Sequence, residues 1–129
     1  MRYLKKQTNQ QGQSMVEFAL VLPILVLLLF AMIEFGRLWE TMNVMTSAAR
    51  EAARVAATTA PDVNQTQAAA LNLLNAGNIN NAVIFVAGPD ANQNVTVTVQ
   101  VNYVPLSGAI VPGIGNFNLT RTSTMRWEG

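Results

Sequence analysis

From Phe18 to Ile33 the chain carries no charged side chain, and a lone carboxylate, Glu17, stands at the near edge of that run. Met15 to Ile33 supplies about the 20 residues that a helix needs to cross a bilayer. A carboxylate placed where hydrocarbon begins is costly unless it has a partner or a purpose. Few features constrain a chain of 129 residues more. Its first third is set up as a membrane segment, and what remains must be a small domain with a limited core.

Charge distribution sets the expected orientation. Arg2, Lys5 and Lys6 precede Gly12, with no acid among them. After Gly12 five arginines face seven acids, a balance of −2. The positive-inside rule places the basic leader in the cytoplasm and everything beyond Arg37 outside. No basic patch of the nucleic-acid-binding kind exists in the remainder, so nucleic acid is not an expected partner. A secretory signal peptide would carry a small-residue cleavage site behind its apolar core. Here Glu34, Gly36, Arg37, Leu38 and Trp39 follow instead. An uncleaved anchor and a cut ahead of the apolar run, on the cytoplasmic side, both stay open.

Helix formers dominate from Gln13 to about Ala57. A helix of that length would measure about 65–70 Å. Pro23 lacks an amide donor and crowds the preceding turn, so a kink or local melting is expected there. Beyond the apolar run, Glu34, Arg37 and Glu40 follow one another at intervals of three, as do Glu51 and Arg54, with Arg50 beside them. Such spacing allows pairing along one helix face, within the chain or between copies. Ala48, Ala49, Ala52, Ala53, Ala56 and Ala57 form a small-residue face. Small residues admit the close approach of another backbone. That face could pack on the protein's own sheet, on another copy, or on both from opposite sides.

Several of these residues carry a resemblance. The stretch Gly12-Gln13-Ser14-Met15-Val16-Glu17 resembles the processing site of type IV prepilins, where a peptidase cuts after glycine and the fifth mature residue is glutamate. The longer stretch is similar to the TadE/TadG-like family of tight-adherence pilus systems. The similarity rests on Gly12, Val16-Glu17-Phe18-Ala19, Leu22-Pro23, Glu34-Phe35-Gly36-Arg37 and Ala49-Arg50-Glu51-Ala52-Ala53-Arg54. It implies cleavage between Gly12 and Gln13, although Gln13 stands where many pilins carry an apolar or aromatic residue. It also implies a long helix capped by a small head, and as partners a prepilin peptidase, other pilin-like subunits and the pilus machinery of the inner membrane.

The remainder, 58–129, reads as that head. Thr58 to Pro61 breaks the helix, and Pro61 can open a second one. Val63 to Ala76 has a helical pattern with Ala70, Leu71 and Leu74 as its apolar stripe, stopped at Gly77 and Asn78. Asp62 is a natural N-terminal cap. Strands are expected around Val83–Val86, over Val95–Val104, where alternate residues are apolar, and over Phe117–Trp127. Gly88-Pro89-Asp90 is turn chemistry, and Leu106–Asn116 is a glycine-rich apolar loop expected to pack on its own domain. The fold class is therefore α+β: a leader over 1–12, a long helix over 13–57 that spans a membrane at about 15–35, and a head with one helix and a three-stranded antiparallel sheet.

The chain has neither cysteine nor histidine. Disulfides and thiolate metal sites are excluded, and the commonest general base is missing. No nucleophile motif, phosphate loop or metal-ligand spacing is present. The expectation is a protein without catalytic residues, cofactor or metal. It would be a pilin-like structural subunit assembled through its N-terminal helix, with Glu17 as the assembly contact. The alternatives are a membrane-retained pseudopilin or assembly factor, and an unrelated anchored domain.

Overall fold

The computed structural model describes residues 10–59 and 62–128. The basic residues of the leader and Pro61 lie outside the described residues. The order of elements is α1 (Gln10–Thr58), α2 (Val63–Ala76), β1 (Ala82–Ala87), β2 (Asn94–Tyr103), a 3₁₀ turn (Leu106–Ala109) and β3 (Phe117–Arg126). This is the expected α+β architecture.

α1 is 49 residues long, or about 74 Å. Two details differ from the expectation. The helix already includes Gln10 to Gly12, so Gln13 is not a structural boundary. It also continues unbroken through Pro23, so no melting occurs there. One lost donor does not outweigh the hydrogen bonds that leucine- and alanine-rich turns maintain on either side.

The helix changes character along its length. Every residue from Gly12 to Ile33 is exposed. From Met45 onward one face is buried, formed by Met45, Ala48, Ala49, Ala52, Ala53, Ala56 and Ala57. All six alanines are buried within the chain, and all but Ala57 belong to the core shared with the sheet and α2, so that face is taken up inside the chain. Methyl side chains let a sheet and a second helix both lie close to α1.

α2 starts at Asp62, whose carboxylate accepts from the amides of Asn64 and Gln65 at 3.0 and 3.3 Å. Its buried residues are Thr66, Ala70 and Leu74. Leu71 was expected in that stripe but is 39% exposed. Thr66 takes the inward place, with its hydroxyl donating to the Asp62 carbonyl at 3.0 Å, and residues four apart keep one face. The helix ends in a Schellman arrangement: Asn78 N–H donates to the Asn75 carbonyl, Ile79 N–H to that of Leu74, and Asn78 takes φ 58°. Gly77 is required for space, because a Cβ there would lie 2.6 Å from Val44 on α1.

The sheet order is β1-β2-β3, antiparallel throughout. Val95, Val97, Val99, Val101 and Tyr103 of the central strand face the helices. Two-residue alternation places one apolar set against the core and leaves Thr96, Thr98, Gln100 and Asn102 outward. β3 alternates less cleanly because it is an edge strand. Only its Leu119 is buried, and Arg121, although in register with Val99, reaches out to the sulfur of Met42. The chain end closes on the long helix, with Glu128 N–H donating to the Ala57 carbonyl at 3.1 Å.

Candidate functional site

Gly12, Gln13, Glu17 and Pro23 all lie on the exposed part of α1. A Cβ on Gly12 would meet nothing within 4 Å, so the glycine is not demanded by packing. Glu17 makes no ion pair among the described residues. The fold brings none of these residues to the head.

Glu34 does reach the head. It sits at the C-terminal end of the apolar run, where Tyr103 ends β2 and Pro105 turns the chain. One carboxylate oxygen accepts the Tyr103 hydroxyl at 2.5 Å. The other accepts the amides of Leu106 at 2.8 Å and Ser107 at 3.4 Å. These are the first amides of the 3₁₀ turn, which no carbonyl within the turn can satisfy. Arg37 completes the cluster, 3.8 Å from the Glu34 carboxylate and 5.8 Å from the centre of the Tyr103 ring. Phe117 of β3 packs on that ring at 5.3 Å. Burial, and then the carboxylate beside it, push the Tyr103 phenol up to about 12. The carboxylate therefore fastens β2 and the following loop to α1 at the end of the head nearest the apolar run.

The loop after Tyr103 leaves an open groove of about 350 Å³ against the helix. Leu27, Phe30 and Phe35 form the helix side, and Ile110, Val111 and Ile114 the loop side. The wall is almost wholly apolar.

The expected charge pairs form only in part. Glu34 pairs with Arg37, but Glu40 is exposed and makes no ion pair among the described residues. Glu51 and Arg54 form a two-point contact, Nε to one carboxylate oxygen at 3.0 Å and Nη2 to the other at 2.5 Å. That contact lowers the Glu51 pKa and raises that of Arg54. Arg50 is exposed outside this pair. The sequence places Glu34 in a helix row and in the stretch Glu34-Phe35-Gly36-Arg37, and neither points to the head. The available cue was an acid at the C-terminal end of an apolar run, in a chain where Pro105 leaves the next amides free.

No group of acidic residues among the described ones is arranged to hold a metal ion. The site is thus a long exposed helix surface joined to a head by one carboxylate cluster.

Residues 12–54 match the family model described as TadE-like protein. This segment is about one third of the chain and coincides with α1 from Gly12 to Arg54, without the sheet. Both ion pairs of the helix lie within it. No curated protein and no solved structure matches the chain. The TadE-like match associates the chain with Tad pilus systems and with pilus components as partners. The long apolar helix is compatible with membrane anchoring in such a system.

Proposed function

We propose that this chain is a pilin-like structural subunit of a Tad-type pilus, assembled through the N-terminal part of α1. The observation that carries the reading is the coincidence of two facts. The TadE-like segment begins at Gly12, and from there to Ile33 the helix is exposed on every side. An apolar helix exposed on every side suits first a bilayer and then a bundle of like helices. The membrane segment is about 15–35, with residues 1–12 inside and the head outside. A prepilin peptidase removes the leader between Gly12 and Gln13. The new amino group of Gln13 then gives the Glu17 carboxylate of a neighbouring subunit a cation to pair with, which fixes the axial offset between subunits. The head provides no catalytic chemistry and takes no cofactor.

The match to TadE-like proteins themselves also favours a second reading, a minor pseudopilin or assembly factor retained in the membrane. Shearing surface filaments from the native host and identifying the dominant protein separates the two. A filament made of this chain supports the structural subunit, whereas recovery only in membranes supports the second reading. Intact mass of the same material should lack residues 1–12, and a mass that retains them would overturn the processing step.

A further inference from the structure

We infer that the loop from Pro105 to Asn116 is a second membrane contact, inserted into the outward leaflet beside α1, with lipid acyl chains filling the groove between them. The inference rests on the reading that residues about 15–35 span the bilayer.

Four observations carry it. The first is level. Ile110, Val111 and Ile114 share a groove with Leu27 and Phe30, which belong to the apolar run. Leu27 lies about 10 Å further into that run than Glu34 along the helix axis. The loop therefore descends from the border marked by Glu34 toward the membrane, not away from it. The second is exposure. Ile110 and Ile114 are 53% and 43% exposed, so the loop does not bury its own apolar residues on the head. The third is charge. Between Asp90 and Arg121 the sequence holds no ionisable side chain except the Tyr103 phenol, which donates to Glu34. Nothing in the loop resists leaving water as a charge would.

The fourth is the backbone. Irregular chain is expensive near lipid because its amides lose water without gaining partners. Here Leu106 and Ser107 donate to Glu34. Gly108 donates to Pro105, Ile110 and Val111 to Ser107, and Ile114 to Val111. Pro105 and Pro112 have no amide hydrogen to satisfy. Most of the donors are thus provided for within the chain before the loop meets the headgroups. Lipid accounts for the unpartnered face because the groove is continuous with the lipid-facing surface of the apolar run. Insertion to about 5–10 Å, the depth of interfacial apolar segments, is enough to cover Ile110 and Ile114.

The chain has no cysteine, so single labels are clean. Ile110→Cys, Ile114→Cys, Leu25→Cys in the span and Thr120→Cys on the outer face of the sheet are each labelled with a polarity-sensitive fluorophore. The full chain is reconstituted in phosphatidylethanolamine–phosphatidylglycerol vesicles with or without brominated acyl chains. Ile110 and Ile114 labels should lose emission as strongly as the Leu25 label, and the Thr120 label should not. If the Leu25 label is quenched and both loop labels are instead quenched by aqueous iodide, the loop lies in water and the inference fails alone. If loop quenching emerges only when the protein is diluted in lipid, a second copy occupies the groove and the inference also fails. A Leu25 label that lipid does not quench overturns the spanning reading and the inference with it.

Discussion

The two halves of α1 are one continuous helix built for different surroundings. From Phe18 to Ile33 the surface is apolar on every side, and all of it is exposed. From Met45 to Ala57 the inward face is almost entirely alanine, and all of it is covered. Large apolar side chains without an intramolecular partner need lipid or another chain. Small ones allow a sheet and a second helix to settle within the same molecule. The comparison shows that helix propensity fixes the rod, while side-chain size fixes what each half of the rod meets.

Two methionines on this helix test the contrast most sharply. Met45 is 0% exposed and Met32 62% exposed. Met45→Ala should cost the head about 2–5 kcal/mol. Met32→Ala should leave its unfolding midpoint unchanged in denaturant titrations of the detergent-solubilised chain. Equal effects would mean that the two halves do not differ in packing. The alanines give the converse test. Ala52→Leu forces a larger side chain beneath the sheet and should destabilise the head by about 1–3 kcal/mol. Ala19→Leu, on the exposed half, should be silent in the same assay.

A smaller effect is expected at the join between the halves. Tyr103→Phe removes one donor from the Glu34 carboxylate and should cost about 1 kcal/mol. The phenol offers a pH test with a definite sign. Its folded pKa of about 12 lies above the ordinary value of about 10. The stabilisation belongs to the neutral form. It is complete below about pH 10 and is lost as pH rises through about 12. In a Tyr3→Phe background, which leaves Tyr103 as the only tyrosine, absorbance at alkaline pH should show half-ionisation near 12. A midpoint near the ordinary value would remove the Glu34 contact from the account. The smallest effect is expected at the outer pair. Glu51→Gln breaks an exposed contact on the helix and should leave the unfolding midpoint within error.

Much of the fold was legible because its signals are local. The apolar run and the helix formers around it define α1, strict alternation from Val95 to Tyr103 defines the central strand, and Asp62 and Gly77-Asn78 mark the ends of α2. Three features were not legible. The alanine face suits an internal or an external partner equally, and only the packing of β2, β3 and α2 decides between them. Leu71 has the right spacing for the α2 stripe, but the helix rotates to bury Thr66, whose hydroxyl finds a carbonyl one turn back. The Glu34 cluster joins residues 69 to 73 positions apart. No periodic pattern reports that pairing, and the three-residue spacing of Glu34, Arg37 and Glu40 pointed along the helix instead. Of the proposed site residues, Gly12 was visible only through motif resemblance, and Glu17 through that and its place at the edge of the apolar run, since the fold gives neither an ion pair or a packing role among the described residues.

That absence of an internal task is what makes Glu17 decisive. If the exposed half of α1 is an assembly surface, its one carboxylate should matter between chains and not within one. The direct measurement is the yield of filament or membrane complex from Glu17→Leu at equal expression in the native host, with insertion, processing and head stability checked on the same material. The account predicts normal insertion, a normal mature mass, an unchanged head and loss of assembly. Normal assembly yield from Glu17→Leu would contradict it.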